Sequence, residues 1–205
     1  MQIIGVDESG RGPLFGRVYC AAVILPNQNS AFNMDIIKDS KKFSSFKKLC
    51  DVSKYIKENS LYWNIAYVSE KMIDKINIRE ATFQCMHQAI RGLISKLNSM
   101  NELKLHIDGN AFNPLTIYHN NSFIELPYEC IVGGDNSDKA IGAASILAKV
   151  ARDEYIIDMC NTYPELNEKY GLEKNKGYGT LQHRNGIKQY GRTQWHRESF
   201  RLKDE

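Results

Sequence analysis

Residues 3–25 read IIGVDESGRGPLFGRVYCAAVIL. Its two ends, Ile3 to Glu8 and Arg17 to Leu25, are dense in β-branched and aromatic side chains and flank a glycine-rich turn, the pattern of two paired strands. The chain is therefore expected to open with a hairpin. Asp7 and Glu8 fall at the end of the first strand, directly before Ser9-Gly10-Arg11-Gly12-Pro13. Two adjacent carboxylates there repel unless a cation or a proton offsets the charge. A divalent metal would do so, because Mg²⁺ takes hard oxygen ligands and often needs only one or two carboxylates plus substrate phosphate. Neighbouring residues of a regular strand face opposite ways, so both acids reach one ion only if the strand ends at Glu8 and the turn reorients it. Taken alone, such a pair is more often a solvated surface feature.

Moving outward, Phe46, Leu49, Val52 and Ile56 recur at steps of three and four, which predicts a helix capped by Ser44. Leu61 to Val68 reads as a third strand. Phe83, Met86, Ile90, Leu93 and Leu97 make one apolar face of a helix over about 79–97 that must pack on a sheet. Lys104 to Asp108 alternates and ends at Asp108-Gly109-Asn110, while Tyr128 to Val132 is a short strand ending at Gly133-Gly134-Asp135. A long helix is expected over about 137–161 and another over 178–190. Strands followed by alternating strands and helices indicate an α/β domain with a mixed β-sheet flanked by helices. Residues 1–160 are expected to form this domain, with 161–205 a C-terminal helical extension packed on it.

Asp108 and Asp135 change the weight of the Asp7-Glu8 pair, because both also stand where strands end, and ligands of open α/β sheets gather there. Four converging acids could hold two metal ions roughly 4 Å apart, which activate a water and stabilise the leaving oxygen of a phosphodiester. Convergence depends on strand order, which periodicity does not give. The segment Gly10 to Gly16 fails as a dinucleotide fingerprint: Phe15 stands at the third glycine position, Pro13 intrudes and a strand follows instead of a helix. Glycines on both sides of Arg11 instead let backbone approach a polar ligand while the guanidinium reaches phosphate; a tight hairpin loop is the plainer alternative. On the long helix Ser145, Lys149 and Arg152 share a face opposite Ala143, Ile146, Leu147 and Val150, suited to meeting phosphate or simply solvated.

Composition narrows the classes. The apolar fraction of 42% and charged fraction of 25% are those of an ordinary globular chain. No apolar run reaches the roughly 18 to 20 residues that span a bilayer, and no basic-then-apolar leader is visible, so a cytoplasmic protein without membrane contact is expected. Five dispersed cysteines without a C-x-x-C pair argue against a disulfide framework or a zinc knuckle. The histidines show no zinc-ligand spacing, and Ser9 lies outside any G-x-S-x-G context. A formal charge of +3 is compatible with a polyanionic partner, and lysines 38, 41, 42, 47, 48, 54 and 57 crowd one segment.

The string Gly5-Val6-Asp7-Glu8-Ser9-Gly10-Arg11-Gly12-Pro13-Leu14-Phe15-Gly16 resembles the opening motif of the ribonuclease HII family. The resemblance continues through Asp39-Ser40-Lys41-Lys42, Ile107-Asp108-Gly109-Asn110, Gly134-Asp135, Ala143 to Asp153, and Lys176-Gly177-Tyr178 with His183, in family order over nearly the whole chain. It implies a ribonuclease H-like fold and an endoribonuclease that cuts the RNA strand of RNA/DNA hybrids. It also implies incision 5′ to ribonucleotides embedded in duplex DNA, leaving a 3′-hydroxyl and a 5′-phosphate. By the same resemblance Asp7, Glu8, Asp108 and Asp135 are the catalytic, metal-binding acids, for two Mg²⁺ or Mn²⁺ ions. Gly10, Arg11 and Gly12 meet the 2′-hydroxyl and phosphate, and Tyr178 stacks on the sugar beyond the junction. Ser145, Lys149, Arg152 and Lys41 complete the expected substrate contacts, and a monomer is expected.

Some residues depart from the family pattern. Gly133 stands where a lysine is frequent, Arg17 where a proline is usual, and Phe43 where a leucine follows the double lysine. Ser9 is more typical of ribonuclease HIII, but that sister type usually has lysine where Arg11 stands. A binding module that lost catalysis, and a two-metal nuclease for other substrates on the same fold, are the competing functional readings.

Overall fold

The computed structural model describes residues 2–27, 31–38, 43–100, 102–119 and 121–202. The opening hairpin forms as β1 (Gln2–Ser9) and β2 (Val18–Ile24), antiparallel, with Asp7 opposite Ala21 and Glu8 opposite Cys20. β3 (Tyr62–Val68) extends it antiparallel on one side, and β4 (Leu103–Asp108) joins β1 in parallel on the other. β7 (Tyr128–Ile131) runs parallel to β4, giving the mixed order β3-β2-β1-β4-β7. The expected mixed sheet flanked by helices is thus present.

Helices cover both faces. α3 (Ile78–Ile94) puts Met86, Ile90 and Leu93 against Ile4, Val6, Cys20, Leu105 and Ile107. On the opposite face α5 (Lys139–Thr162) lays Ala143, Ala144 and Leu147 on Ala21 and Val23, joined by Leu49 and Ile56 of α1 (Phe46–Asn59). The distal half of α5 carries a third cluster. There Leu14 and Phe15 meet Ile156, Tyr170 of α6 (Glu165–Tyr170), Leu172 of α7 (Leu172–Asn175) and Ile187 of α8 (Leu181–Tyr190).

The close approach of α5 to the sheet depends on Gly5. A Cβ there would lie 2.1 Å from the Ala140 carbonyl carbon and 2.4 Å from its oxygen, and this backbone cannot give way as a flexible side chain can. Gly5→Ala is therefore expected to cost about 3 kcal/mol, the upper end of ordinary overpacking, read as a fall in the midpoint of urea unfolding. An unchanged midpoint would contradict this packing.

Several element ends differ from their sequence reading, each for a local reason. Ser45 caps α1 in place of Ser44, its Oγ accepting the Lys48 amide at 3.3 Å. The helix expected over 137–161 is α5, which begins at Lys139 behind Asp138, whose carboxylate caps the Ala140 and Ile141 amides, and a separate short helix, α4 (Gly134–Ser137), precedes it. The last helix begins at Leu181 behind a Thr180 cap, so Tyr178 lies outside it. α2 (Glu70–Ile76), α6, α7 and the hairpin β5 (Thr116–His119) with β6 (Ser122–Glu125) had no clear signal, being too short to establish a period. Among the described residues no helix is long and apolar enough to cross a membrane.

Candidate active site

Parallel pairing of β1 with β4 is the decisive local event. Their ladder ends at Val6 opposite Ile107, so Asp7 and Asp108 are the next residues of two adjacent strands. β7 finishes beside them, and Gly133 turns the chain with φ +67° into α4, so the Asp135 amide donates to Asp108 Oδ1 at 3.4 Å. A left-handed residue is what Gly133 supplies, and lysine at that φ would be strained. All four acids line one cavity of about 310 Å³ with Gly10, Arg11, Gly12, Ser145, Lys149 and Tyr178.

The strand does not end at Glu8 as supposed; β1 runs on to Ser9. Alternation holds. Asp7 is buried toward α5 and receives the Ser145 hydroxyl, whereas Glu8 also lines a second cavity of about 290 Å³ against Thr82 and Phe83 of α3. The acids share a space because the ladder has stopped and the cavity wraps around the sheet end.

Electrostatics single out Asp7 and Glu8. Burial pushes the Asp7 carboxyl well above the usual range, and the charges of Glu8 and Asp108 push it further. Burial also raises Glu8, against the opposing pull of Arg11, whose Nη1 lies 3.3 Å from Glu8 Oε1. These are hard oxygen donors whose mutual repulsion a divalent cation relieves, so they fit Mg²⁺ or Mn²⁺. Among the described residues no three acidic, histidine or cysteine side chains close into a ready ligand set. That suits an ion which completes its shell with water and phosphate.

The loop over the acids is shaped by close contact. Gly10 has φ +99°, and a Cβ on it would fall 2.2 Å from Arg152 Nε; Gly12 faces the Tyr178 ring, with a Cβ position 3.6 Å from Cε1. Tyr178 is 45% exposed, leaving ring surface free to stack. Lys149 Nζ pairs with Asp153 at 2.8 Å while still lining the cavity. Arg17 sits over the Tyr67 and Tyr155 rings at 4.2 and 4.6 Å, which accounts for arginine at that position.

Arg152 requires a correction. Expected on an open basic face with Ser145 and Lys149, it is fully buried, and its Nη2 donates to the Phe15 carbonyl at 3.3 Å. The reason is that the 10–17 loop and the C-terminal residues cover this side of α5, so the helix packs on more than one face. Arg152 supports Gly10 and Gly177 from beneath. Lys41, with the rest of the Asp39 to Lys42 motif, lies outside the described residues.

His183, named with the Tyr178 motif, is buried beside two residues that the sequence reading did not single out, His196 and Arg197, both also buried. His196 and Arg197 stand in a polar stretch without periodicity, and no local signal marks them. The Thr193 amide donates to His196 Nδ1 at 2.9 Å, so His196 carries its proton on Nε2 and donates to His183 Nε2 at 3.0 Å. His183 Nδ1 then donates to the Tyr178 carbonyl at 3.0 Å. Burial depresses both rings, and His183's charge helps take His196 down to about 3. A histidine depressed on folding gives stability that is present above its unfolded value near 6.5 and lost as pH falls below it. Imidazole NMR is expected to show both rings neutral at pH 7 and His196 still neutral at pH 6, in these tautomers; a protonated His196 at pH 6 would refute the relay.

The Ribonuclease HII family model matches residues 4–203. A Ribonuclease HII of Porphyromonas gingivalis is 40% identical over 197 residues, covering 96% of this chain and 88% of that protein. In fold the chain is similar to the ribonuclease H2 from Pyrococcus horikoshii, with a TM-score of 0.68, 23% identity and coverage of 98% and 94%. It is also similar to a Bst-RNase HIII in complex with Mn²⁺, with a TM-score of 0.65, 15% identity and coverage of 94% and 71%. With the family model spanning nearly every residue and a relative 40% identical over most of both chains, this chain belongs to the ribonuclease HII family.

Proposed function

We propose that this protein is an endoribonuclease that hydrolyses the RNA strand of RNA/DNA hybrids and incises 5′ to ribonucleotides embedded in duplex DNA. The products are a 3′-hydroxyl and a 5′-phosphate, and the enzyme acts as a cytoplasmic monomer. The observation that carries this reading is the single cavity shared by four acids, the Gly10-Arg11-Gly12 loop and Tyr178. Asp7, Glu8, Asp108 and Asp135 would hold two Mg²⁺ or Mn²⁺ ions, which when bound activate a water and stabilise the leaving oxygen.

The chain's own residues supply orientation and discrimination. Ser145 donates to Asp7 and fixes the direction of its carboxylate. Backbone at Gly10 to Gly12 comes close enough to inspect a 2′-hydroxyl, the group that separates RNA from DNA. Lys149 at the cavity wall offers a cation to a phosphate of the cut strand, and Tyr178 offers a ring face to the adjoining sugar. Arg11 extends from the loop, half-exposed, between Glu8 and solvent, placed to meet phosphate.

The deciding assay incubates a labelled duplex containing one ribonucleotide, an all-DNA duplex and an RNA/DNA hybrid with Mg²⁺ or Mn²⁺. Cleavage of the first and third, with none of the second, is expected. Binding without incision would make the protein a recognition module, and equal cutting of all-DNA duplex would make it a general nuclease.

A further inference from the structure

We propose that Arg197 is a positioning residue for ribonucleotide recognition, gathering the carbonyls of the 10–16 loop beneath it so that the Arg11 and Gly12 amides face the cavity. This rests on the reading above, in which that loop meets the ribose and its phosphate.

Arg197 is fully buried, and its guanidinium spends every nitrogen on this one loop. Nε donates to the Gly16 carbonyl at 2.8 Å, and Nη1 to those of Arg11 and Pro13 at 3.0 and 2.8 Å. Nη2 donates to the Gly10 carbonyl at 2.6 Å. Its own amide takes the Leu14 carbonyl at 2.8 Å, and Gly16 returns a bond to Trp195 at 2.8 Å. A rigid planar fork is needed to reach acceptors in these directions, and an ammonium lacks it. Burial, then the charge of Arg152, pulls Arg197 down to about 9, which leaves it cationic at neutral pH.

The consequence follows from peptide geometry. In a trans peptide the carbonyl and the next N–H point to opposite sides, and the described chain has no cis bond. Pinning the Gly10 and Arg11 carbonyls inward therefore turns the Arg11 and Gly12 amides outward, on the side where both residues line the cavity. Among the described hydrogen bonds neither amide has a protein acceptor. Further along, Pro13 has no N–H and the Leu14 amide is taken by Gly177 at 2.8 Å. Two consecutive outward amides form a concavity for a hydroxyl or phosphate oxygen. Residue 196, through His183, holds Tyr178 on the facing wall, so one short segment sets both sides of the sugar site.

The test measures KM for a duplex with one ribonucleotide and Ki for the all-DNA duplex of the same sequence as competitor. Arg197→Lys is expected to raise KM about tenfold, the scale of one lost hydrogen bond, while Ki moves less than twofold. A merely structural role would lower kcat through loss of folded enzyme and leave the Ki/KM ratio alone; that result overturns the proposal. Should Arg197→Lys fail to fold, Asp74→Ala decides. Asp74 accepts the Glu198 and Ser199 amides at 2.9 Å, so removing it slackens the segment while the guanidinium stays. A selective rise in KM supports the proposal, and an unchanged Ki/KM overturns it. A wild-type enzyme with equal KM and Ki would refute the reading of the loop itself, an outcome distinct from a discriminating wild type with an equally discriminating variant.

Discussion

Asp7→Asn is expected to lower the rate of incision at an embedded ribonucleotide by about a hundredfold to a thousandfold, the cost of removing a preorganised electrostatic contribution. The substitution is nearly isosteric. Its amide oxygen can still accept the Glu8 amide, which donates to Asp7 Oδ1 at 2.6 Å, so the strand end keeps its shape. What disappears is a buried negative charge beside Glu8 and Asp108. The same variant should therefore be more stable than the wild type when both are free of divalent ions at neutral pH. Asp7's carboxyl is raised on folding from its ordinary 3.8. Such a group contributes stability that is present below that value and lost as pH rises through the higher folded value. In metal-free buffer the wild-type melting temperature should thus fall more steeply than the variant's as pH rises from the carboxylate range toward neutrality. Added Mn²⁺ should raise the wild-type melting temperature and leave the variant's nearly still, because only the native site binds. Full activity in Asp7→Asn would remove the acid cluster from the chemistry.

Alanine at Gly10 and at Gly12 should both abolish most activity, by different routes. At Gly10 the backbone is left-handed at φ +99°, and the methyl would meet Arg152 Nε at 2.2 Å and Cδ at 2.4 Å. The side chain of Arg152 is fully buried and cannot swing aside, so the loop itself must shift. Loss of incision by about a hundredfold is expected, with a lower unfolding midpoint. At Gly12 the new methyl meets only Tyr178 Cε1 at 3.6 Å, an ordinary contact. Stability should hold there, while the methyl intrudes between loop and ring and raises KM for the ribonucleotide substrate. Parallel melts and steady-state kinetics of the two variants separate these routes. If Gly12→Ala also lost its melting temperature, the open space assigned to the cavity side of the loop would be wrong.

How much was legible differs from residue to residue. Asp7, Asp108 and Asp135 were readable as strand-end acids because alternation and glycine turns are local properties. The buried role of Arg152 was not. On a helical wheel it shares a face with Ser145 and Lys149, and only the loop packed over that face, more than 130 residues away in sequence, removes it from solvent. Asp138 was passed over for the same kind of reason, since a break between two helices is decided by which carboxylate caps the second.

The sequence by itself determined the five strands of the main sheet, the apolar helix faces and, through its motifs, the family, because side-chain period, turn chemistry and motif order are carried by neighbours along the chain. Only the tertiary structure decided that the β1–β4 ladder stops one residue before two aspartates and that Gly133 swings a third acid beside them. It alone decided, too, that Arg197 reaches back 187 residues to the Gly10 carbonyl. Such contacts depend on strand order and on which surfaces are covered, and no period or local propensity encodes either.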